Sequence, residues 1–231
     1  MQRKITHSLK LLANAFEFYG DKVAVASSFG KDSVALIHLA RRIDKNVKIF
    51  SIMTPFKFEE TFEYYYKLAT EWELNLNLFG YAHGFQDLAV TRPTDVEECC
   101  NHFKVAPAKE AIEKMELEAW VSGLRRTEGT HHRKFTDEYE IKGDLVKINP
   151  ILDWTEADVW AYHAINSIPP HPLYARGYRS LGCEPCSKPY TEEERGGRWQ
   201  GTSKCGGECG IHTQVLKETV IPTSKRSSGK Y

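Results

Sequence analysis

The sequence has no surplus of charge in either direction: 31 Lys and Arg balance 31 Asp and Glu. With no global positive field, nucleic acid is not an expected partner, although a neutral total can hide a local basic patch. No stretch approaches the ~18 consecutive apolar residues of a membrane span. The opening MQRKITHSLKLLANAFEFYG has no export-type apolar core. Internal repeats and low-complexity blocks are also missing. These absences predict a cytoplasmic protein that does not engage a membrane. What is present is cysteine, six in a chain of 231 residues. Without an export signal, that usage predicts metal or redox chemistry in a reducing compartment, not a disulfide framework. A hydrophobic content of 41% is enough for one substantial core. The expected organisation is a single domain over 1–213, with a catalytic C-terminal segment at about 195–213 and a flexible tail over 214–231.

Ile5, Leu9, Leu12, Phe16 and Tyr19 recur at helical spacing and stop at Gly20. KVAVA then reads as a buried strand, SSFGKDS as a loop and VALIHLARRI as a helix. NVKIFSIM, FEETFEYYYKLATEW and LNLNLF repeat the strand–helix–strand alternation. The pattern predicts an α/β fold with a mainly parallel, doubly wound sheet carrying helices on both faces. Further on, PAKEAIEKM is predicted helical and EAWVSGL a strand. YEIKGDLVKI reads as a hairpin turning at Gly143-Asp144, and Thr155 with Asp158 as a capping box. From Pro169 onward Pro, Gly and Cys dominate, predicting loops organised by Cys183 and Cys186. Trp72, Trp120, Trp154 and Trp160 read as packing residues, and His131-His132 as loop residues. Glu192-Glu193-Glu194 reads as the solvated first turn of a helix.

Two strings carry chemistry. In SSFGKDS, Ser27, Ser28, Gly30, Lys31, Asp32 and Ser33 lie where a strand ends and a helix begins. Small residues there let the backbone approach an anion, serine hydroxyls add donors and Lys31 adds a charge. The string lacks the Walker spacing and resembles the pyrophosphatase-type loop of adenine nucleotide hydrolase-like folds. The second string is split: EECCNHFK holds Cys99 and Cys100, and GCEPCSK holds Cys183 and Cys186. Adjacent cysteines cannot readily bridge each other, but a pair plus a pair gives four thiolates for one metal-containing group. Zinc and an iron–sulfur cluster both fit that count. Neighbouring ligands suit a cluster more naturally, since each can bind a different iron. Near the end, Cys209 stands among glycines with Arg195, Arg198, Lys204 and His212 close in sequence, the setting of an activated thiol.

Together, Cys-Cys-x-x-x-Lys, KINPILDWTEADVWAY, GYRSLGCEPCSKP, and RGGRW followed by ECGIHT resemble assimilatory adenylyl-sulfate (APS) reductase. This is the cluster-bearing branch of the APS/PAPS reductase family, and the resemblance runs from about Val23 to Thr213. It implies an adenine nucleotide hydrolase-like fold and a 4Fe-4S cluster on Cys99, Cys100, Cys183 and Cys186. It implies that Lys104 supplies positive charge between cluster and substrate, and that the Ser27–Ser33 loop holds the phosphosulfate. Arg125 and Arg126 would contribute to the nucleotide site, and Arg195, Arg198, Lys204 and His212 to the substrate region around Cys209. The thiol of Cys209 would attack the sulfate sulfur, release AMP and leave an S-sulfocysteine. Thioredoxin or a glutaredoxin-like dithiol would then free sulfite. A homo-oligomer is compatible with the resemblance.

Three departures stand out. The string Lys31-Asp32-Ser33 is typical of ATP-consuming relatives. Met53-Thr54 replaces the family's Asp-Thr. Cys205 is extra, and is either inert or able to resolve the sulfonated Cys209 as a disulfide. PAPS reductase activity and an ATP-dependent RNA thiolase carrying a cluster are the alternative functions.

Overall fold

The structure is a computed structural model. It describes residues 1–81, 91–128, 133, 135–190, 192–205, 207 and 209–213. His131-His132 and the 214–231 tail lie outside the described residues.

A six-stranded sheet in the order β3-β2-β1-β4-β6-β5 forms the centre. Its strands are β1 Val23–Ala26, β2 Ile49–Met53, β3 Leu76–Gly80, β4 Ala119–Val121, β5 Tyr139–Lys142 and β6 Leu145–Ile148. All neighbours run parallel except β5 and β6, which pair antiparallel with Lys142 opposite Leu145. The hairpin therefore turns at Gly143-Asp144, as the sequence predicts.

Strand alternation sorts side chains between two cores. Val23, Val25 and Ile49 face one, with residues of α1 (Gln2–Tyr19), α2 (Lys31–Arg41), α3 (Glu59–Glu71) and α6 (Glu156–Ile165). Ala24, Phe50 and Trp120 face the other, with Ala108 and Ala111 of α5 (Ala106–Lys114). The doubly wound expectation is met. Helix α6 starts as the sequence predicts: the Asp158 N–H donates to the Thr155 hydroxyl at 3.1 Å, and the Thr155 N–H donates to the Asp158 carboxylate at 2.8 Å.

One joint was not legible in the sequence. Before α5, a short helix α4 (Val96–Cys100) runs into a widened turn over Asn101–Val105. Pro107 accounts for the widening. It has no N–H to offer the Phe103 carbonyl four residues back, and its ring crowds that carbonyl. The Ala106 N–H reaches the Asn101 carbonyl instead. Cys99, Cys100 and Lys104 all sit on this joint.

Candidate active site

Strands β1 and β4 are neighbours, but the chain builds outward from them in opposite directions along the sheet. A crevice opens beyond the carboxyl ends of strands at such a switch point. Here it is lined by the Ser27–Ser33 loop after β1 and by Ser122, Gly123 and Leu124 after β4.

The loop is a tight, partly strained turn. Phe29 has φ +59°, which a bulky side chain rarely adopts. Its ring is fully buried, 5.5 Å from that of Tyr65, and its N–H donates to the Ser27 hydroxyl at 3.1 Å. Ser27 donates in turn to Ser33 at 3.2 Å, and Ser33 to the Gly30 carbonyl at 3.1 Å. Gly123 lets the backbone after β4 lie against the first turn of α2, since a Cβ there would meet the Ser33 nitrogen at 3.2 Å.

The charged members of this loop are already committed to protein partners. The Lys31 side chain is 1% exposed, and its ammonium lies 2.8 Å from Glu194 and donates to the Arg179 carbonyl at 2.7 Å. Its backbone N–H donates to the Tyr174 hydroxyl at 2.8 Å. Fully buried Arg125 bonds both Asp32 and Glu194. Glu194 is thus no part of a solvated helical turn, because two buried cations draw it inward. Asp32, Glu128 and Glu194 bring oxygens within 4.8 Å of one another. Lys31, Arg125, Arg133 and Arg195 meet their charges. The trio is therefore part of an internal ion network. Burial works against the ionised form of Glu128, but Arg133 and Arg195 outweigh it and hold the carboxyl well below its usual range.

Toward the thiols the cavity turns cationic. Lys57, Lys104, Arg133, Arg195 and Arg198 line it together with Cys183 and Cys209. The Arg198 guanidinium donates to the Leu181 carbonyl at 2.8 Å and sits 4.4 Å from the centre of the Trp199 ring. Among the described residues its Nε is buried with no partner, a donor left for a ligand. Arg195 and Lys204 approach the same ring at 5.2 Å and 6.0 Å. Trp199, 1% exposed, is thus a platform for three cations, a role that its single occurrence in RGGRWQ did not signal. Gly182 makes room for this arrangement, since a Cβ there would lie 2.3 Å from the Arg198 guanidinium.

The four paired cysteines are all buried. Cys100, Cys183 and Cys186 share one apolar cluster with Val96 and Trp199, and Cys209 packs against it. Burial pushes the Cys100 thiol up to about 11. Burial also opposes ionisation of Cys183, yet Lys104, the Thr54 hydroxyl and Lys57 together pull that thiol below its ordinary value. The Thr54 hydroxyl lies 3.2 Å from the Cys183 sulfur, so the residue after β2 serves the thiols. Arg92 donates to the Cys186 sulfur at 3.4 Å. One tetrahedral ion with bonds of about 2.3 Å would draw its sulfurs to within about 3.8 Å of each other. Among the described residues, no three of these sulfurs lie within 4.8 Å of one another.

Not every sequence candidate enters the cavity. Arg126 turns away, bonding Asp153 at 2.7 Å and the Thr136 carbonyl. Lys204 ties the C-terminal segment to α4 through Glu97 at 2.8 Å. Cys205 is exposed. Residues 210–213 form a short helix, α7, but the His212 side chain is not among those described. Conversely, Lys57, Glu128, Arg133 and His171 line the cavity without having been singled out in the sequence.

His171 carries a pH dependence. It is 1% exposed; its Nδ1 accepts from the Leu173 N–H at 3.2 Å and its Nε2 lies 3.1 Å from the Thr61 hydroxyl. Burial pushes its pKa down to about 4. The folded state therefore binds this proton later than the unfolded chain does. The stabilisation is complete above about pH 6.5 and is lost as pH falls toward about 4, at a cost of roughly 3 kcal/mol. Urea unfolding at about pH 7 and about pH 5 should show a smaller acid loss for His171→Gln than for the wild type. Equal losses would remove His171 from the account.

The chain matches the family described as the phosphoadenosine phosphosulfate reductase domain over residues 22–189. It is 35% identical over 218 residues to the adenosine 5'-phosphosulfate reductase of Chelativorans sp., covering 90% of this chain and 86% of that one. It is 33% identical over 214 residues to the protein of that name from Lysinibacillus sphaericus, covering 89% and 90%. In fold it is similar to a phosphoadenylyl-sulfate (PAPS) reductase from Candida auris, solved as a phosphate complex. That similarity has a TM-score of 0.67 at 20% identity and covers 77% of this chain and 88% of that one. On the extent and identity of these matches, the chain belongs to the adenosine 5'-phosphosulfate reductase family.

Proposed function

We propose that the protein reduces APS to sulfite and AMP with electrons from a dithiol, in sulfate assimilation. The observation that carries this reading is that Cys209 and the Ser27–Ser33 turn line one cavity, with Lys104 and Arg198 beside the thiol. In this reading the adenine occupies the apolar end near Phe50, Ile52 and Leu124, and the phosphosulfate extends toward the cations. The Cys209 thiolate attacks the sulfonyl sulfur. An S–S bond forms, the S–O bond to the phosphate breaks, and AMP leaves with the electron pair. Arg198 and Lys104 offset the repulsion between thiolate and sulfonate and stabilise the charge building on the leaving oxygen. A dithiol of the thioredoxin or glutaredoxin class then attacks the Cys209 sulfur and expels sulfite. Its second thiol regenerates Cys209, so the two electrons come from the dithiol.

Cys99, Cys100, Cys183 and Cys186, four buried thiols gathered at one end of the cavity, would hold a 4Fe-4S cluster. When bound, the cluster supplies a fixed electrostatic centre beside Lys104 that orients and polarises the site. The ATP-dependent thiolase alternative drew on the Lys31-Asp32-Ser33 string, but the Lys31 ammonium is tied to Glu194 and is not free to meet a polyphosphate. No helix among the described residues is long and apolar enough to cross a membrane.

Steady-state turnover with APS and with PAPS, on anaerobically purified protein supplied with thioredoxin, tests the proposal. Sulfite release should favour APS. A preference for PAPS reassigns the substrate, and sulfite from neither nucleotide rejects the reading.

A further inference from the structure

The cations around the cavity are not equally engaged. Lys31 pairs with Glu194, Arg133 and Arg195 with Glu128, and Arg125 with Asp32. Lys57 differs from all of them. It is 7% exposed and lines the cavity. Among the described residues no carboxylate or other acceptor meets its ammonium, which carries three donors. Its main chain is fixed: the Lys57 N–H reaches the Thr54 carbonyl at 3.3 Å, Lys57 pairs in antiparallel fashion with Cys183, and the next residue's N–H, Glu184, reaches the Phe56 carbonyl at 2.8 Å. That bridge puts the side chain at the thiol end, where its charge is felt by Cys183 and Lys104. Strand β2 brings no carboxylate to this end, where it closes on fully buried Met53.

A largely buried ammonium that lines the cavity and meets no carboxylate is placed to receive an anion that enters there. We propose that Lys57 binds the transferable sulfonate of the substrate, as a third cation beside Lys104 and Arg198. The inference rests on the APS reductase reading and deepens it. The lysine contacts the group that distinguishes APS from AMP, so it contributes to holding the sulfonate for attack and little to holding the nucleotide.

Calorimetric titration of holoprotein in a Cys209→Ser background, which blocks turnover, separates the two contributions. APS and AMP are the probes. Adding Lys57→Met should weaken APS about ten- to a hundredfold, the scale of one charge-assisted hydrogen bond, and leave AMP within about threefold. Lys57→Arg should restore most of the APS preference. Equal losses for both nucleotides, or no loss for either, overturn the inference and leave Lys57 as a counter-charge for the thiols. If Lys57→Met loses its visible absorption, the comparison of Lys57→Gln with Lys57→Arg decides by the same ratio. Failure of the Cys209→Ser parent to bind APS at all rejects the reductase reading itself, and this inference with it.

Discussion

Replacing Cys209 with serine is expected to lower sulfite release from APS by about 10⁴-fold or more, the scale of losing a covalent nucleophile. The hydroxyl is nearly isosteric, so the cation platform on Trp199 should survive and APS should still bind. What disappears is the sulfur nucleophile. Cys209 packs against Cys100, Cys183, Cys186 and Trp199 at the mouth of the cavity, half-buried and facing Lys104 and Arg198. Among the described residues, the titratable groups that face this position are cations and thiols, and none is an evident base for a serine hydroxyl. Residual activity near the wild-type level would place the nucleophile elsewhere.

The second large effect is expected at the paired cysteines. Cys183→Ala should abolish visible absorption of the anaerobically purified protein and lower stability by several kcal/mol, a fraction of the ~10–16 kcal/mol that a structural metal contributes where its binding drives folding outright. The reason lies in how little regular structure this part of the chain has. Among the described residues between Pro169 and Trp199, it amounts to short helical turns and two isolated backbone bridges, Lys57 to Cys183 and Ser187 to Arg198, so side-chain contacts hold the thiol end. The local apolar cluster consists of Val96, Trp199 and the cysteines themselves. Without one thiolate the remaining sulfurs hold a four-ligand group poorly, and Arg198 and Trp199 lose the support beneath them. Limited proteolysis should cut first between about residues 183 and 199. A Cys183→Ala protein that keeps its colour and its protease resistance would exclude the four-cysteine assignment.

The sequence announced the fold most clearly where local rules decide structure. The β1–loop–α2 unit, the Gly143-Asp144 hairpin and the Thr155 capping box each depend on residues a few positions apart, and each appears as expected. The thiol pairs and Cys209 could be read as chemistry because their residue types are rare. The cavity's electrostatics could not. Glu194 looked like a solvated acid and is drawn in by Lys31 and Arg125, partners 163 and 69 residues away in sequence. Lys31 looked like an anion ligand and is a strut for the same reason. Lys57 carried no signal in the sequence, and only its bridge to Cys183 brings it to the thiol end. Pairing across such separations leaves no periodic trace in a single sequence, and neither does the widening that Pro107 imposes on the helix bearing Cys99 and Cys100.

The central claim is that a terminal thiol takes the sulfonate covalently from a nucleotide held over the Ser27–Ser33 turn. Mass spectrometry of the intact protein incubated with APS and no reductant tests it most directly. One added sulfonate is expected, mapped by peptide analysis to Cys209 and lost on addition of thioredoxin with release of sulfite. Unmodified Cys209 under conditions where the same protein turns over APS would contradict it.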